Sequence, residues 1–172
     1  MQVDFSFRLS AGSIDRYKAC LVAKGFHQRP RVDYHDIFSP VIKPTIVCLV
    51  LNLAVSRSWS LHQPDVNNLF LQGHLFEDVY MAQTSGFIDL DFSSHICKLC
   101  KVIYGLKQVP RVWYHKLKQF LVVFGFVNSH VDTSLFILNT GDHLIFLFIY
   151  VDDLIIIGND SSAVQWFVKL LA

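Results

Sequence analysis

Charged side chains are scarce in this 172-residue chain. Its 15 lysines and arginines and 14 aspartates and glutamates make up 17% of the residues, whereas hydrophobic residues make up 52%. Soluble domains typically carry about 25% charged residues. The length suffices for one domain with a sizeable core. The low charge predicts faces that meet partners, with an aggregation-prone product as the alternative.

An uninterrupted membrane-spanning run and an apolar N-terminal leader are both missing. A spanning helix needs about 20 consecutive apolar residues, but the apolar run at residues 144–157 is interrupted by Asp152 and Asp153. The first eight residues, Met-Gln-Val-Asp-Phe-Ser-Phe-Arg, do not resemble a signal peptide. We therefore expect no membrane association and an intracellular location, without distinguishing a cytoplasmic particle from the nucleus.

Cysteine is limited to four positions, Cys20, Cys48, Cys97 and Cys100. The pair Cys97 and Cys100, with His95 nearby, has half of a zinc-site spacing. No second Cys-x-x-Cys follows, and a structural zinc site takes four ligands. The pattern favours a strand over residues 96–102 and free thiols in a reducing compartment.

Acidic residues are nearly absent from two stretches, residues 5–32 and 92–131. These stretches hold 12 of the 15 basic residues, six in each, and only one carboxylate, Asp15. Such segregation is typical of a surface that grips phosphates beside a site that holds cations. Ordinary solvated surface is the alternative, and a net charge of +1 does not decide between them.

The most informative feature that is present is the pair Asp152 and Asp153. Residues 144–151 before it and 154–157 after it are rich in β-branched and aromatic side chains, which predicts two buried strands joined by a tight hairpin. Burying neighbouring carboxylates is costly, and divalent cations would compensate that cost. A turn that simply uses aspartate is the alternative.

Helical and strand patterns alternate along the rest of the chain, which predicts an α+β fold. Thr45 is the expected N-cap of a helix to Arg57, and Pro110 is expected to begin a helix that Gly125 ends. The core face of this second helix should comprise Trp113, Leu117, Phe120, Leu121 and Phe124. The remaining expected elements are strands at 17–25, 59–66, 78–81, 135–138, 143–151 and 154–157, the last closing the sheet, and a short helix at 67–71.

The motif Tyr-Val-Asp-Asp at residues 150–153 resembles the catalytic hairpin of reverse transcriptases. Other blocks resemble the copia-type retrotransposon branch, over about residues 5–160 in total. They are Arg-Tyr-Lys-Ala at 16–19, Leu-Val-Ala-Lys-Gly-Phe at 21–26, Phe-Ser-Pro-Val at 38–41, Val-Tyr-Met at 79–81, Gly-Phe at 86–87, Tyr-Gly-Leu-Lys-Gln at 104–108, Pro-Arg at 110–111 and Trp-Tyr at 113–114.

The resemblance implies one partial reverse transcriptase domain, residues 1–172, with a polymerase palm and fingers. The palm would have an antiparallel sheet with helices on one face. The fingers-like part would cover about 1–58 and 74–110, and the palm-like part about 59–73 and 111–172. The thumb is expected to be absent, which makes the chain an incomplete and inactive piece of a larger polyprotein.

The resemblance also implies two-metal nucleotidyl transfer, with two Mg²⁺ or Mn²⁺ ions about 4 Å apart. Asp65 and Asp152 would be the main ligands, with Asp153 assisting and the Val66 carbonyl completing the shell. The partners would be an RNA template, a DNA primer, deoxynucleoside triphosphates and the remaining polyprotein segments.

Further roles follow from the resemblance residue by residue. Phe70 would exclude a ribose 2′-hydroxyl, and Gln108 would contact the incoming nucleotide, with a core phenylalanine and a loop glutamine as the alternatives. The other implied contacts are Lys18 or Arg16 with the triphosphate, Tyr150 and Val151 with the primer terminus, and Lys107 and Arg111 with the nucleic-acid backbone.

Three residues depart from the family pattern. Cys20 replaces a usual basic residue, Leu69 a usual small one, and Pro64 a usual aliphatic one directly before Asp65. Proline removes a ladder donor, and a catalytic group misplaced by about 1 Å can lose roughly a hundredfold in rate. The alternative function is therefore a non-catalytic, nucleic-acid-binding remnant of a transposable element. A metal-dependent hydrolase is disfavoured by the copia-like blocks.

Overall fold

The computed structural model describes residues 2–10, 13–64, 73–150 and 153–171. The chain divides into two compact units. The first comprises Met1–Ile37 and Phe70–Val112, and the second comprises Phe38–Leu69 and Trp113–Ala172. The predicted division into fingers-like and palm-like parts stays a prediction.

The described elements, in chain order, are mixed α and β. They are β1 (Gln2–Ser10), β2 (Ser13–Val22), a 3-10 turn (Gly25–His27), α1 (Pro44–Arg57), β3 (Ser60–His62), β4 (His74–Ala82), β5 (Ile96–Lys101), α2 (Val109–Phe124), β6 (Val127–Asn128), β7 (Leu135–Asn139), β8 (Leu144–Tyr150), β9 (Asp153–Gly158) and α3 (Ser161–Leu171). Among these, no helix is long and apolar enough to cross a bilayer.

The first unit contains two antiparallel strand pairs. Strands β1 and β2 form a hairpin whose register runs from Gln2 opposite Val22 to Ser10 opposite Ser13. Strands β4 and β5 form the second pair, which confirms the strand predicted around Cys97 and Cys100. A core cluster lies in this unit and comprises Ala23, Val79, Val102, Leu106, Val109 and Val112.

The second unit is built on a five-stranded antiparallel sheet with the order β3-β9-β8-β7-β6. The predicted hairpin strands are confirmed. The expectation that residues 154–157 close the sheet is wrong, because β9 pairs with β8 on one side and with β3 on the other. Strand β9 is therefore an interior strand of the sheet, and its Leu154, Ile156 and Ile157 have no exposed surface.

Helices cover both faces of this sheet, so the prediction of helices on one face is wrong. Helix α1 packs in a core cluster with Phe148 and Phe146 of β8. Phe124 of α2 and Phe167 of α3 instead line a cavity with Ile145 of β8. Successive strand residues point to opposite faces. Because β8 is apolar on both faces, each face has to be covered.

Helix α1 ends at Arg57 as predicted but does not begin at the predicted cap. Its N-cap is Lys43, and Pro44 lies in the first turn, where a missing N–H leaves nothing unsatisfied. The backbone N–H of Lys43 donates to Oδ2 of buried Asp132 at 2.7 Å. The Thr45 prediction is wrong because this long-range partner fixes the helix start.

Helix α2 confirms most of the predicted core face. Leu117 and Leu121 are buried, whereas Phe120 is 38% exposed. Gly125 follows the helix with φ of +105°, a conformation that glycine adopts without strain.

Strand β1 and helix α3 were not predicted. Helix α3 had a signal, because buried Val164, Phe167 and Leu171 lie at i, i+3 and i+7. Asp160 caps its start by accepting from the Ser162 N–H at 2.8 Å.

Candidate functional site

The hairpin of β8 and β9 carries the aspartate pair. Tyr150 and Asp153 are its last paired residues, so only Val151 and Asp152 lie between the strands. These two residues are outside the described part of the chain. Ile149 and Leu154, which flank the closing pair, have no exposed surface. The strand residues that flank the closing pair are therefore anchored in the core.

The carboxylate of Asp153 is exposed. The Gln63 side chain donates from Nε2 to Oδ1 of Asp153 at 3.3 Å. The expectation that burial makes this carboxylate costly is wrong for Asp153, because solvent reaches it. A solvent-accessible carboxylate can instead take or release a ligand without opening the core.

Strand β3 runs antiparallel to β9, toward the end of β9 that carries Asp153. Its paired residues are Ser60, Leu61 and His62, opposite residues 158 to 156. The predicted strand at 59–66 is thus shorter than expected. Pro64 has no N–H to donate, which agrees with a ladder that stops at His62. Asp65, Val66, Leu69 and Phe70 lie outside the described residues, as does the short helix predicted at 67–71.

A second segment pairs with the hairpin and was not predicted from the sequence. Val41 forms an antiparallel bridge with Tyr150, on the side of Tyr150 that does not face Asp153. Two motifs that are more than 100 residues apart, Phe-Ser-Pro-Val and Tyr-Val-Asp-Asp, therefore meet in the second unit. Chain separation of this size left no local signal for the contact.

In the first unit, Gln108 is fully buried. Its Oε1 accepts from Nε2 of Gln28 at 2.9 Å, and its own Nε2 lies 3.5 Å from the carbonyl oxygen of Asp33. The neighbouring Lys107 is exposed. A nucleotide contact by Gln108 stays a prediction, and it requires surrounding groups to move.

Arg111 forms an ion pair with Glu77. The Arg111 side chain is 21% exposed and that of Glu77 only 7%. The contact of Arg111 with the nucleic-acid backbone stays a prediction. The described geometry commits its guanidinium to a partner within the same unit.

Three of the basic residues in the two acid-poor stretches, Arg29, Lys98 and Arg111, form ion pairs with acids. Lys98 pairs with Asp78 at 2.6 Å, and Arg29 with Asp33 at 3.4 Å. The hydrogen bond and charge of Asp78 raise the pKa of Lys98. The backbone N–H of Arg29, followed by its side chain, lowers the pKa of Asp33. At these three positions an acid partly offsets the positive charge that the sequence places there.

Arg16 and Lys18 lie on β2, opposite Arg8 and Ser6. Their side chains are outside the described part of the chain, so the predicted triphosphate contact stays a prediction. Cys20 lies on the same strand, opposite Asp4, and is partly buried.

The family described as reverse transcriptase (RNA-dependent DNA polymerase) matches residues 5–172. This chain belongs to the reverse transcriptase family. The chain is similar to two retrovirus-related Pol polyproteins of Arabidopsis thaliana. It is 57% identical to the one from transposon RE1 over 153 residues and 56% identical to the one from transposon RE2 over 152 residues.

A third relative is the Pol polyprotein from transposon TNT 1-94 of Nicotiana tabacum, 40% identical over 150 residues. These alignments cover 87–89% of this chain but 10–11% of each relative, so the chain spans about a tenth of the curated relatives' length. The copia-type assignment is confirmed. No solved structure matches.

Of the predicted metal ligands of this reverse transcriptase domain, the structure describes Asp153. Among the residues described, no group of three or more histidine, cysteine, aspartate or glutamate side chains could hold a metal ion. An exposed carboxylate is an oxygen ligand of the kind that Mg²⁺ prefers. Asp153 therefore fits one position of a magnesium shell.

Proposed function

We propose that this chain carries the nucleotidyl-transfer site of an RNA-directed DNA polymerase of a copia-type retrotransposon. The geometry at one end of the five-stranded sheet supports this proposal most. There the Tyr150–Asp153 pair closes a hairpin held in a buried core. Gln63, which precedes Asp65 by two residues, contacts Asp153.

In this proposal Asp65, Asp152 and Asp153 hold two Mg²⁺ or Mn²⁺ ions, and the Val66 carbonyl completes the shell. Such ions, when bound, activate a primer 3′-hydroxyl and stabilise the leaving pyrophosphate. Gln63 restrains the Asp153 carboxylate by donating to its Oδ1. A restrained ligand loses less freedom on binding, which favours a defined geometry.

The remaining roles complete a substrate site. Arg16 and Lys18 would bind the triphosphate, and Phe70 would exclude a ribose 2′-hydroxyl. Tyr150 and Val151 would lie beside the primer terminus. The proposed substrates are a primed RNA template and deoxynucleoside triphosphates, and the proposed partners are further segments of a Pol polyprotein.

Single-nucleotide extension of a primed RNA template by the 172-residue chain, with Mg²⁺ or Mn²⁺, tests the proposal. We expect Asp152→Asn and Asp153→Asn to reduce incorporation, because each removes a ligand charge and keeps the side-chain shape. Asp142→Asn is the matched control, since Asp142 is an exposed aspartate in the turn between β7 and β8. Equal and measurable incorporation by all three variants would contradict the proposed site.

Direct metal binding provides a readout that does not depend on turnover. Mn²⁺ titration followed by electron paramagnetic resonance should show weaker binding in Asp152→Asn and unchanged binding in Asp142→Asn. Template–primer binding without Mn²⁺ binding or incorporation would favour the alternative, a non-catalytic nucleic-acid-binding remnant.

Pro64 and Leu69 can be tested in the same assay. Pro64→Leu restores a backbone donor two residues after β3 ends, and Leu69→Ala restores a small side chain. If these departures weaken the site, the double variant should incorporate faster than the wild-type chain. An unchanged rate would show that the departures are neutral.

A further inference from the structure

The loop before α2, residues 104–108, is locked to the segment at residues 22–28. The Ala23 N–H donates to the Tyr104 carbonyl at 2.7 Å. The two backbones approach so closely at Gly25 and Gly105 that a Cβ on Gly25 would clash with the carbonyl oxygen of Gly105. Gly105 also has φ of +87°, so neither glycine tolerates a side chain. The two segments form one support.

Gln28 uses both ends of its side-chain amide on this loop. Its Oε1 accepts from the Lys107 backbone N–H at 2.8 Å, and its Nε2 donates to Oε1 of Gln108 at 2.9 Å. Because a backbone N–H can only donate, the oxygen of Gln28 has to face Lys107. The amide orientation is therefore determined, and Gln108 has to present its own oxygen to Gln28.

Lys107 remains exposed in this arrangement. Its Nζ lies 5.3 Å from the ring centroid of Tyr34, which is buried, and 3.5 Å from the Gln28 carbonyl oxygen. A free lysine side chain has large rotamer freedom. The Tyr34 ring and the Gln28 carbonyl restrain the Lys107 side chain in one exposed position. A phosphate contact by Lys107 therefore costs less side-chain conformational entropy.

We propose that Gln28 is a positioning residue that holds Lys107 for contact with a nucleic-acid phosphate. In this assignment the buried Gln108 supports the loop through its hydrogen bond with Gln28. The inference rests on the proposed function, since it assumes that the chain binds a template–primer. It goes beyond that function by assigning Gln28 a role in positioning Lys107.

The test measures binding of a fluorescent primed RNA template between 50 and 200 mM salt. Loss of one phosphate contact lowers the slope of log K against log salt by about 1, and so reduces the salt-induced change in affinity about fourfold over this range. We expect Lys107→Ala to have this effect. Gln28→Ala, and the bulkier Gln28→Met if alanine impairs folding, should reproduce most of it.

Background variants separate positioning from a general structural role. In a Lys107→Ala chain, Gln28→Ala should change the slope no further. In a Lys101→Ala chain, where the altered lysine is exposed on β5, Gln28→Ala should keep its full effect. Additive effects in the Lys107→Ala background would overturn the assignment.

Two further outcomes would also overturn it. A slope lowered by Lys107→Ala but not by Gln28 variants would refute the positioning role alone. A wild-type chain that binds no template–primer would refute the nucleic-acid role as well, so the two failures are distinguishable.

Discussion

The ion pair of Arg111 and Glu77 allows a quantitative test of what a buried charge does in the first unit. Replacing Arg111 by methionine leaves the Glu77 carboxylate, whose side chain is 7% exposed, without its partner. Breaking a buried ion pair from one side destabilises a protein by about 3–5 kcal/mol. Because Arg111 is 21% exposed, water reaches part of the pair, and we expect the lower end, about 3 kcal/mol.

The full cycle includes Arg111→Met, Glu77→Leu and the double variant. Apolar replacement of both partners of a buried pair is often neutral or stabilising. We therefore expect the double variant to recover most of the stability that either single variant loses. Lys98→Met, at the exposed pair with Asp78, is the matched control and should have little effect.

The probe has to report on the first unit. All three tryptophans, Trp59, Trp113 and Trp166, belong to the second unit, so tryptophan fluorescence does not follow it. Urea-dependent hydrogen exchange, read by mass spectrometry, follows the first unit through peptides covering residues 73–82 and 96–112. Single variants that each lose less than about 1 kcal/mol, or a double variant as unstable as the sum of both, would refute the reasoning.

Two further predictions concern packing and pH. In Gly158→Ala, the new Cβ would lie 2.6 Å from Cγ2 of fully buried Val164. Overpacking of this kind destabilises by about 1–3 kcal/mol, and adding Val164→Ala should recover part of the loss in tryptophan-monitored urea unfolding. If Val164→Ala gives no recovery, this clash is not the cause. The Arg29 backbone N–H, followed by the Arg29 side chain, lowers the pKa of Asp33 in the folded state. The ionised Asp33 carboxylate therefore stabilises the fold above its unfolded pKa of about 3.9. This stabilisation is lost as pH falls through the lower, folded pKa. In Asp33→Asn, first-unit stability followed by hydrogen exchange should fall less than in wild type over that acid range, and an identical fall would contradict the assigned cause.

Local sequence pattern determined the elements whose side chains pack within one or two neighbouring segments. The apolar runs around the aspartate pair predicted β8 and β9, and the spacing in 109–124 predicted α2 and its glycine stop. These signals are reliable because a strand or helix repeats its buried positions at a fixed period. Helix α3 carried the same kind of signal and was missed. The ordered motifs also sufficed to predict the family.

Tertiary structure alone decided which partners those elements meet. At the start of α1 the hydrogen-bond acceptor is Asp132, 89 residues from Lys43 in the sequence, and not the predicted Thr45. Glu77 forms an ion pair with the guanidinium of Arg111, 34 residues away in the sequence. The position of β9 between β3 and β8 likewise depends on the path of the chain. So does the hydrogen bond between Gln28 and the Lys107 backbone. Periodicity records which face of an element is buried. A buried polar group, however, accepts whichever partner the fold brings within hydrogen-bonding distance, and a short-range pattern carries no information about that choice.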